Sequence, residues 1–331
     1  MKPRIGIIPG DPSGIGPELI ARLLTSEGVS EAADILLIGD SHVFEAGQTA
    51  AGETYQMTPV DVTGDWRKTP AFAIHEMDTI APDEIKVAEA TEAGGASVLR
   101  TLDKALEFAQ SGVIDAIVFG PFNKAAMHLA GLGHDDELHY MAEKLGVTNY
   151  ISELNTLDGM WTSRVTSHVA LRDVAGMISE ERVADAVHLI DDTLRRSGLK
   201  RPRISVAAIN PHAGDGGNFG TEEIDILEPA VRKLAQGQMA VDGPWPSDTV
   251  FLKAVAKEID AVVTMYHDQG QIALKLLGFD RGVTVQGGLP FPVSTPAHGT
   301  AFDIAGQGRA DVGATRAAFD IACDMVTHWD N

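Results

Sequence analysis

Short, continuous apolar runs alternate with longer stretches of helical periodicity along most of the 331-residue chain. Arg4–Ile8, Asp34–Ile38 and Asp115–Phe119 read as buried strands, being brief and rich in isoleucine, leucine and valine. Trp161–Ser167, Ile204–Ile209 and Ala261–Met265 read as further strands. Between these runs, Glu18–Thr25, Glu84–Ser111, Glu180–Ser197, Thr221–Ala235 and Ala314–Trp329 carry helical spacing. In Glu84–Ser111 the apolar positions are Val87, Val98, Leu102, Ala105 and Phe108. Ile304–Val312 is a glycine-punctuated turn region, and Ala51–Pro82 has too little periodicity to read. The βα alternation predicts an α/β fold with a mostly parallel sheet and helices on both faces. No internal repeat or low-complexity tract is present, and no linker divides the chain. Boundaries near 124–133 and 287–296 would make the middle one domain and both ends together the other.

Charge narrows the partners. The formal net charge is −21 and the isoelectric point near 4.8, which argues against nucleic acid and against an anionic membrane surface. A small anionic substrate remains compatible, because a pocket can be locally positive inside an acidic shell. The single cysteine, Cys323, excludes an internal disulfide framework or a cysteine-based zinc cluster. No apolar run reaches the roughly 18 residues that span a bilayer. The start, MKPRIGIIPGD, lacks the apolar core and cleavage site of a signal peptide, so a cytoplasmic enzyme is expected.

Three histidines stand just beyond, or at the end of, strand-like runs: His168, His212 and His267. Ligands of open α/β sheets bind at the carboxyl ends of strands. Three neutral imidazoles suit a borderline divalent cation and leave a coordination position open for substrate. The plainer reading is that some of them satisfy backbone groups near the sheet.

Other segments carry candidate chemistry. Gly10–Glu18 (GDPSGIGPE) joins the first strand to the first helix, and is either a phosphate cradle or a structural turn. It has neither the dinucleotide fingerprint nor a Walker lysine. Lys124 follows a strand beside Asn123, where it could hold an anion, transfer a proton or simply be solvated. Asn210–Gly217 and Tyr266–Gly270 set two of the histidines in polar loops, the first dense in glycine, and Lys275 follows His267 by eight residues. Asp248 could serve metal or substrate, although capping a helix that begins at Thr249 is the favoured reading. The run His298, Gly299, Thr300, Ala301, Phe302, Asp303, Ile304, Ala305, Gly306 is small enough for a flat ring or ribose to approach the backbone.

In order along the chain these motifs are GDPSGIGPE, GPFNK, TSHVALRDV, NPHAGDGG, GPWPSDT, HDQG with the later lysine, and GLPF…HGTAFDIAG. Together they resemble the 4-hydroxythreonine-4-phosphate dehydrogenase family of pyridoxal phosphate biosynthesis, from about residue 4 to residue 320. The last motif is also similar to the nucleotide-binding loop of isopropylmalate and isocitrate dehydrogenases. The resemblance implies a two-domain α/β/α sandwich, here residues 1–125 plus 295–331 on the cofactor side and 126–294 with the metal ligands and dimer interface. It implies a homodimer with a shared active site, and a divalent ion (zinc, cobalt, magnesium or similar) on His168, His212 and His267 drawn from both subunits. Lys275 matches a substrate lysine, and His298, Gly299, Thr300, Ala301, Asp303 and Gly306 match the segment that contacts NAD or NADP. The implied reaction is oxidation of a secondary alcohol in a small hydroxy acid to a β-keto acid, followed by decarboxylation. Lys124 and Asp248 are the candidate catalytic residues.

The chain departs from the family pattern in its substrate positions. Where the family reads Gly-His-Thr-Glu, ungapped alignment gives Asp136, Glu137, Leu138 and His139. His134 preserves a Gly-His pair at the cost of a three-residue gap. Thr284 replaces an asparagine and Val293 an arginine. Charge-assisted contacts of the lost kind contribute about 1.5–3 kcal/mol each. These changes suggest the same chemistry on another acid, of threonate, erythronate or dihydrodiol-carboxylate type. Rival readings are an isopropylmalate-type decarboxylating dehydrogenase and a catalytically silent metabolite-binding homologue.

Overall fold

The computed structural model describes residues 2–69, 72–237 and 239–329. They form two compact units, the first from residues 1–148 and 289–330 and the second from 149–288.

The chain enters the first unit through β1 (Arg4–Ile8), α1 (Gly16–Thr25), α2 (Val29–Ala32), β2 (Asp34–Gly39) and α3 (Ser41–Ala51). It continues through β3 (Met57–Pro59), β4 (Phe72–Glu76), α4 (Glu92–Gln110), β5 (Ala116–Phe119), α5 (Lys124–Leu129) and α6 (Glu137–Leu145). The second unit holds β6 (Ser152–Leu157), β7 (Met160–Arg164), α7 (Leu171–Met177), α8 (Glu180–Arg196), β8 (Arg203–Ala207) and α9 (Glu228–Gln236). It is completed by β9 (Ala240–Trp245), α10 (Val250–Val255), β10 (Ala261–Thr264), α11 (His267–Gly278) and β11 (Val283–Gly287). The chain then returns to the first unit with β12 (Val293–Pro296) and α12 (Gly313–His328).

Strands of the first unit follow the order β3-β4-β2-β1-β5-β12, and their pairings are parallel. Ile5, Ile7 and Ile8 of β1 and Leu36, Leu37 and Ile38 of β2 are completely buried. Strands buried on both faces cannot show polar alternation, which is why these runs are continuous in the sequence. The second unit runs β11-β6-β7-β10-β8-β9. Its β6–β7 and β6–β11 pairs are antiparallel, whereas β7–β10, β10–β8 and β8–β9 are parallel. Asp158 and Gly159, both at positive φ (50° and 84°), make the tight β6–β7 turn. Asp-Gly is a strong hairpin signal, because both central residues of such a turn need positive φ.

Several elements differ from the sequence expectation. The helix read over Glu84–Ser111 begins only at Glu92, where Thr91 accepts the Gly94 N–H at 3.0 Å. Ala88, at φ 64°, donates to the Ser13 carbonyl and holds the preceding segment against the β1–α1 loop, leaving Val87 exposed. The helix read from Thr221 contains a π turn over Glu223–Leu227 before α9, where Pro229 lacks the N–H that regular α geometry would use. Ala51–Pro82 contains β3 and β4, too short to show a period. The units divide at 148/149 and 288/289, not at 125/126 and 294/295. α5, α6 and β12 therefore belong to the first unit: β12 pairs with β5, and α5 packs on α4.

That last contact is close. A Cβ on Gly95 of α4 would lie 2.0 Å from the Ala126 carbonyl oxygen. Gly95→Ala is expected to destabilise the protein by roughly 1–3 kcal/mol, read as a lower urea midpoint with an unchanged slope.

Candidate functional site

The three histidines leave neighbouring strands in one direction. β7, β10 and β8 are adjacent and parallel, so His168, His212 and His267 all emerge at the same carboxyl edge of the second unit. Side-chain and backbone bonds hold that edge together. Val165 N donates to Thr264 O at 2.8 Å, and Thr166 Oγ1 to Met265 O at 2.8 Å. Gln269 accepts from Met265 N at 2.8 Å and donates to Ala208 O at 2.9 Å, bridging the ends of β10 and β8.

His267 opens α11, and its Nδ1 lies 2.7 Å from Asp268 Oδ1. That contact leaves Nε2 outward, the arrangement in which a carboxylate orients a ligating imidazole. The ring centres of His168 and His267 are 5.7 Å apart at 42°. A nitrogen about 2.0–2.1 Å from a metal puts its ring centre roughly 3 Å from the ion, so two tetrahedral imidazole ligands sit about 5 Å apart. The observed separation is close to that value. His212 stands apart, 6.2 Å ring to ring from Phe219. Among the described residues, no group of three histidine, cysteine, aspartate or glutamate side chains gathers closely enough to hold a metal within one chain.

The loop bearing His212 is conformationally unusual. His212, Ala213 and Asp215 have φ of 55°, 52° and 46°, and Gly214, Gly216 and Gly217 are also positive. Left-handed backbone costs a non-glycine residue about 1–2 kcal/mol. Buried Glu223 opposes that cost by accepting Ile209 N at 2.9 Å, Asn210 N at 2.8 Å and Asn210 Nδ2 at 3.0 Å.

In the first unit, candidate residues converge past β1, β5 and β12, which are also adjacent and parallel. The glycines of the β1–α1 loop pack against protein. A Cβ on Gly10 would lie 2.5 Å from Gly120, on Gly14 2.8 Å from Thr300, and on Gly16 2.1 Å from Pro9 O. These approaches are what a structural turn needs. Ile15 N donates to Thr300 O at 3.1 Å, and Asn123 Nδ2 lies 3.4 Å from Thr300 Oγ1. Buried Thr300 thus anchors the His298–Gly306 segment. Gly299 has open space where a Cβ would stand, so a flat cofactor group fits against its backbone. Asp303 and Gly306 are exposed, and Ala301 takes φ 41°. Burial pushes the His298 imidazole below its usual pKa, partly offset by its bond to Gly299 O at 3.1 Å. Burial also raises the Asp11 carboxyl, against the lowering effect of its Ser13 bonds.

Lys124 begins α5, capped by Asn123, whose Oδ1 accepts Ala126 N at 3.0 Å. Its side chain is exposed and its Nζ lies 3.5 Å from Glu137 Oε2, a buried carboxylate at the start of α6. Leu138 and Val293 correct the expectation. They are 1% and 0% exposed, members of the core with no surface for substrate. Asp248 is exposed and makes no capping bond; Thr249 occupies the cap of α10 instead. Lys275 is exposed on α11, about 12 Å along the axis from His267 by helical rise. Thr284 Oγ1 accepts from Asn155 Nδ2 at 2.9 Å, and Asn155 Oδ1 accepts from Gln271 at 2.7 Å and from buried Arg164 at 3.2 Å. Glu223, Gln269, Asn155 and Gln271 were not singled out from sequence. Gln269 lies in the HDQG motif, but one of its partners, Ala208, is 61 residues away in the chain.

Over residues 31–322 the chain matches the family described as pyridoxal phosphate biosynthetic protein PdxA. It belongs to that family. It is 56% identical over 330 residues to a Pseudomonas aeruginosa protein provisionally named 4-hydroxythreonine-4-phosphate dehydrogenase 2, covering 98% of each chain. It is 37% identical over 326 residues to the D-threonate 4-phosphate dehydrogenase of Salmonella typhimurium, covering 97% of this chain and 98% of that one. The fold is similar to the crystal structure of 4-hydroxythreonine-4-phosphate dehydrogenase from Klebsiella pneumoniae, with a TM-score of 0.86, 33% identity and 98% of each chain covered. This PdxA-family chain thus has an α/β fold, and no helix among its described residues is long and apolar enough to cross a membrane.

Two outcomes test the geometry. Ala213→Gly is expected to raise stability by about 1 kcal/mol through relief of left-handed strain, seen as a higher melting temperature. For His298 the folded pKa lies below the unfolded one, so its contribution is present above about pH 6.5 and is lost as pH falls. Between pH 7.5 and 5 the wild type should therefore lose more thermal stability than His298→Gln.

Proposed function

We propose that this chain is a metal-dependent, NAD(P)-linked dehydrogenase that oxidises the secondary alcohol of a small phosphorylated hydroxy acid. 4-Hydroxythreonine 4-phosphate is the first candidate, with loss of carbon dioxide from the keto acid formed. The observation that carries this reading is the convergence of three histidines on one strand edge, with His168 and His267 spaced for a shared ion. Relatives named as dehydrogenases of phosphorylated hydroxy acids support the reaction class.

His168, His267 and His212 would hold the ion, which when bound supplies Lewis acidity toward the substrate hydroxyl. Because His212 stands apart from the pair, the ligand set fits one shared between two copies of the chain. Exposed apolar side chains of the second unit, including Leu171, Leu252, Ile272 and Leu276, support a homodimer. The Gly299 backbone and the Thr300 anchor would orient NAD or NADP, the hydride acceptor. Lys124 would supply a cation for a substrate anion or, as the neutral amine, a site for the departing proton, with Glu137 3.5 Å from its nitrogen. Exposed Lys275 offers a second cation, while Asp248 offers a carboxylate.

A second reading, the same chemistry on D-threonate 4-phosphate, is favoured by the substrate positions. Its support is the relative named D-threonate 4-phosphate dehydrogenase, 37% identical over 326 residues, together with the burial of Leu138 and Val293 where the family pattern has a threonine and an arginine.

The test is reduction of NAD and NADP by both phosphorylated acids and their phosphate-free forms. Turnover of a phosphorylated acid is expected, abolished by a chelator and restored by a divalent cation. Lys124→Ala should lower kcat/KM by roughly 10²-fold or more. No reduction of either cofactor by either phosphorylated acid would overturn the proposal.

A further inference from the structure

We propose that Glu223 is the positioning residue for His212, clamping the loop that presents this imidazole. The inference rests on His212 being a metal ligand. Glu223 is 1% exposed and comes from the π turn beyond the loop. One oxygen accepts the backbone N–H groups of Ile209 and Asn210, the last residues before the loop departs. The other accepts Asn210 Nδ2, which also donates to Glu222 at 2.6 Å. A single side chain therefore ties the entry of the loop to its exit.

The loop also wraps over this carboxylate. A Cβ on Gly214 would lie 2.8 Å from Glu223 Oε2, and Phe219 N closes the turn on Gly214 O at 3.1 Å. His212 itself is exposed and its ring meets the likewise exposed Phe219 ring at 6.2 Å, so packing alone does not fix it. The run of left-handed residues fixes its direction, and the clamp fixes that run. Three donors on two oxygens require a side chain that accepts at both. An amide at this position would turn its NH₂ either toward the Asn210 amide or toward the two backbone N–H groups. Glu223→Gln is thus nearly isosteric yet breaks the clamp.

The experiment measures cobalt(II) affinity and the cobalt absorption spectrum of the chelator-stripped full-length protein. Wild type is compared with Glu223→Gln, Asn210→Ala and His212→Ala. Glu223→Gln is expected to weaken cobalt binding roughly 10-fold, the lower end of the effect of removing a group bonded directly to a ligand, because it acts through the loop backbone, and to alter the spectrum. Circular dichroism should be unchanged, and faster amide exchange should be confined to residues 209–217. Asn210→Ala, which removes only one leg of the clamp, should give a smaller loss in the same direction and serves if Glu223→Gln does not fold. Wild-type affinity and spectrum in these variants, with His212→Ala weakened, would overturn the positioning role alone. Unchanged affinity in His212→Ala would overturn the metal reading, and the inference with it.

Discussion

Parallel pairing of β7, β10 and β8 is the constraint on which the histidine site depends. Parallel strands present their carboxyl ends on one side, so three segments far apart in sequence must deliver their next few residues to one edge. The pairing continues beyond the strands proper through Val165, Thr166 and Gln269. Those bonds convert shared direction into definite spacing, since each satisfies a backbone group that would otherwise be orphaned where the ladder ends. His168 and His267 inherit that spacing directly. His212 does not, because its loop bends through left-handed backbone and needs its own support.

The first unit repeats the principle with different chemistry. β1, β5 and β12 end side by side, and each gives way to a glycine-containing loop packed against its neighbours. The contacts around Gly10, Gly14 and Gly16 leave no room for side chains. They place the Thr300 segment against the first turn of α1, leaving Gly299 open. Close packing beneath therefore coexists with an open backbone at Gly299 above.

Much of this was legible in the sequence. Continuous apolar runs marked β1, β2, β5, β8 and β10 because buried parallel strands have no solvent face. α8 and α12 were legible from amphipathic spacing. The histidines stood out through their position after such runs. Other features were hidden for physical reasons. β3 and β4 are too short for a period, and Val87 continued a helical pattern that Ala88 breaks. Leu138 and Val293 occupy aligned ligand positions yet lie in the core, which only packing reveals. Glu223 was unremarkable in a charged helix start, since its donors come from the far side of a loop.

By itself the sequence determined the α/β class, the family and the three imidazoles, because strand burial and motif order are local properties of the chain. Tertiary structure alone decided that His168 and His267 pair while His212 stands apart, that Glu137 rather than Leu138 meets Lys124, and that Glu223 closes the His212 loop. Each of those is a contact between segments whose separation along the chain says nothing about their separation in space.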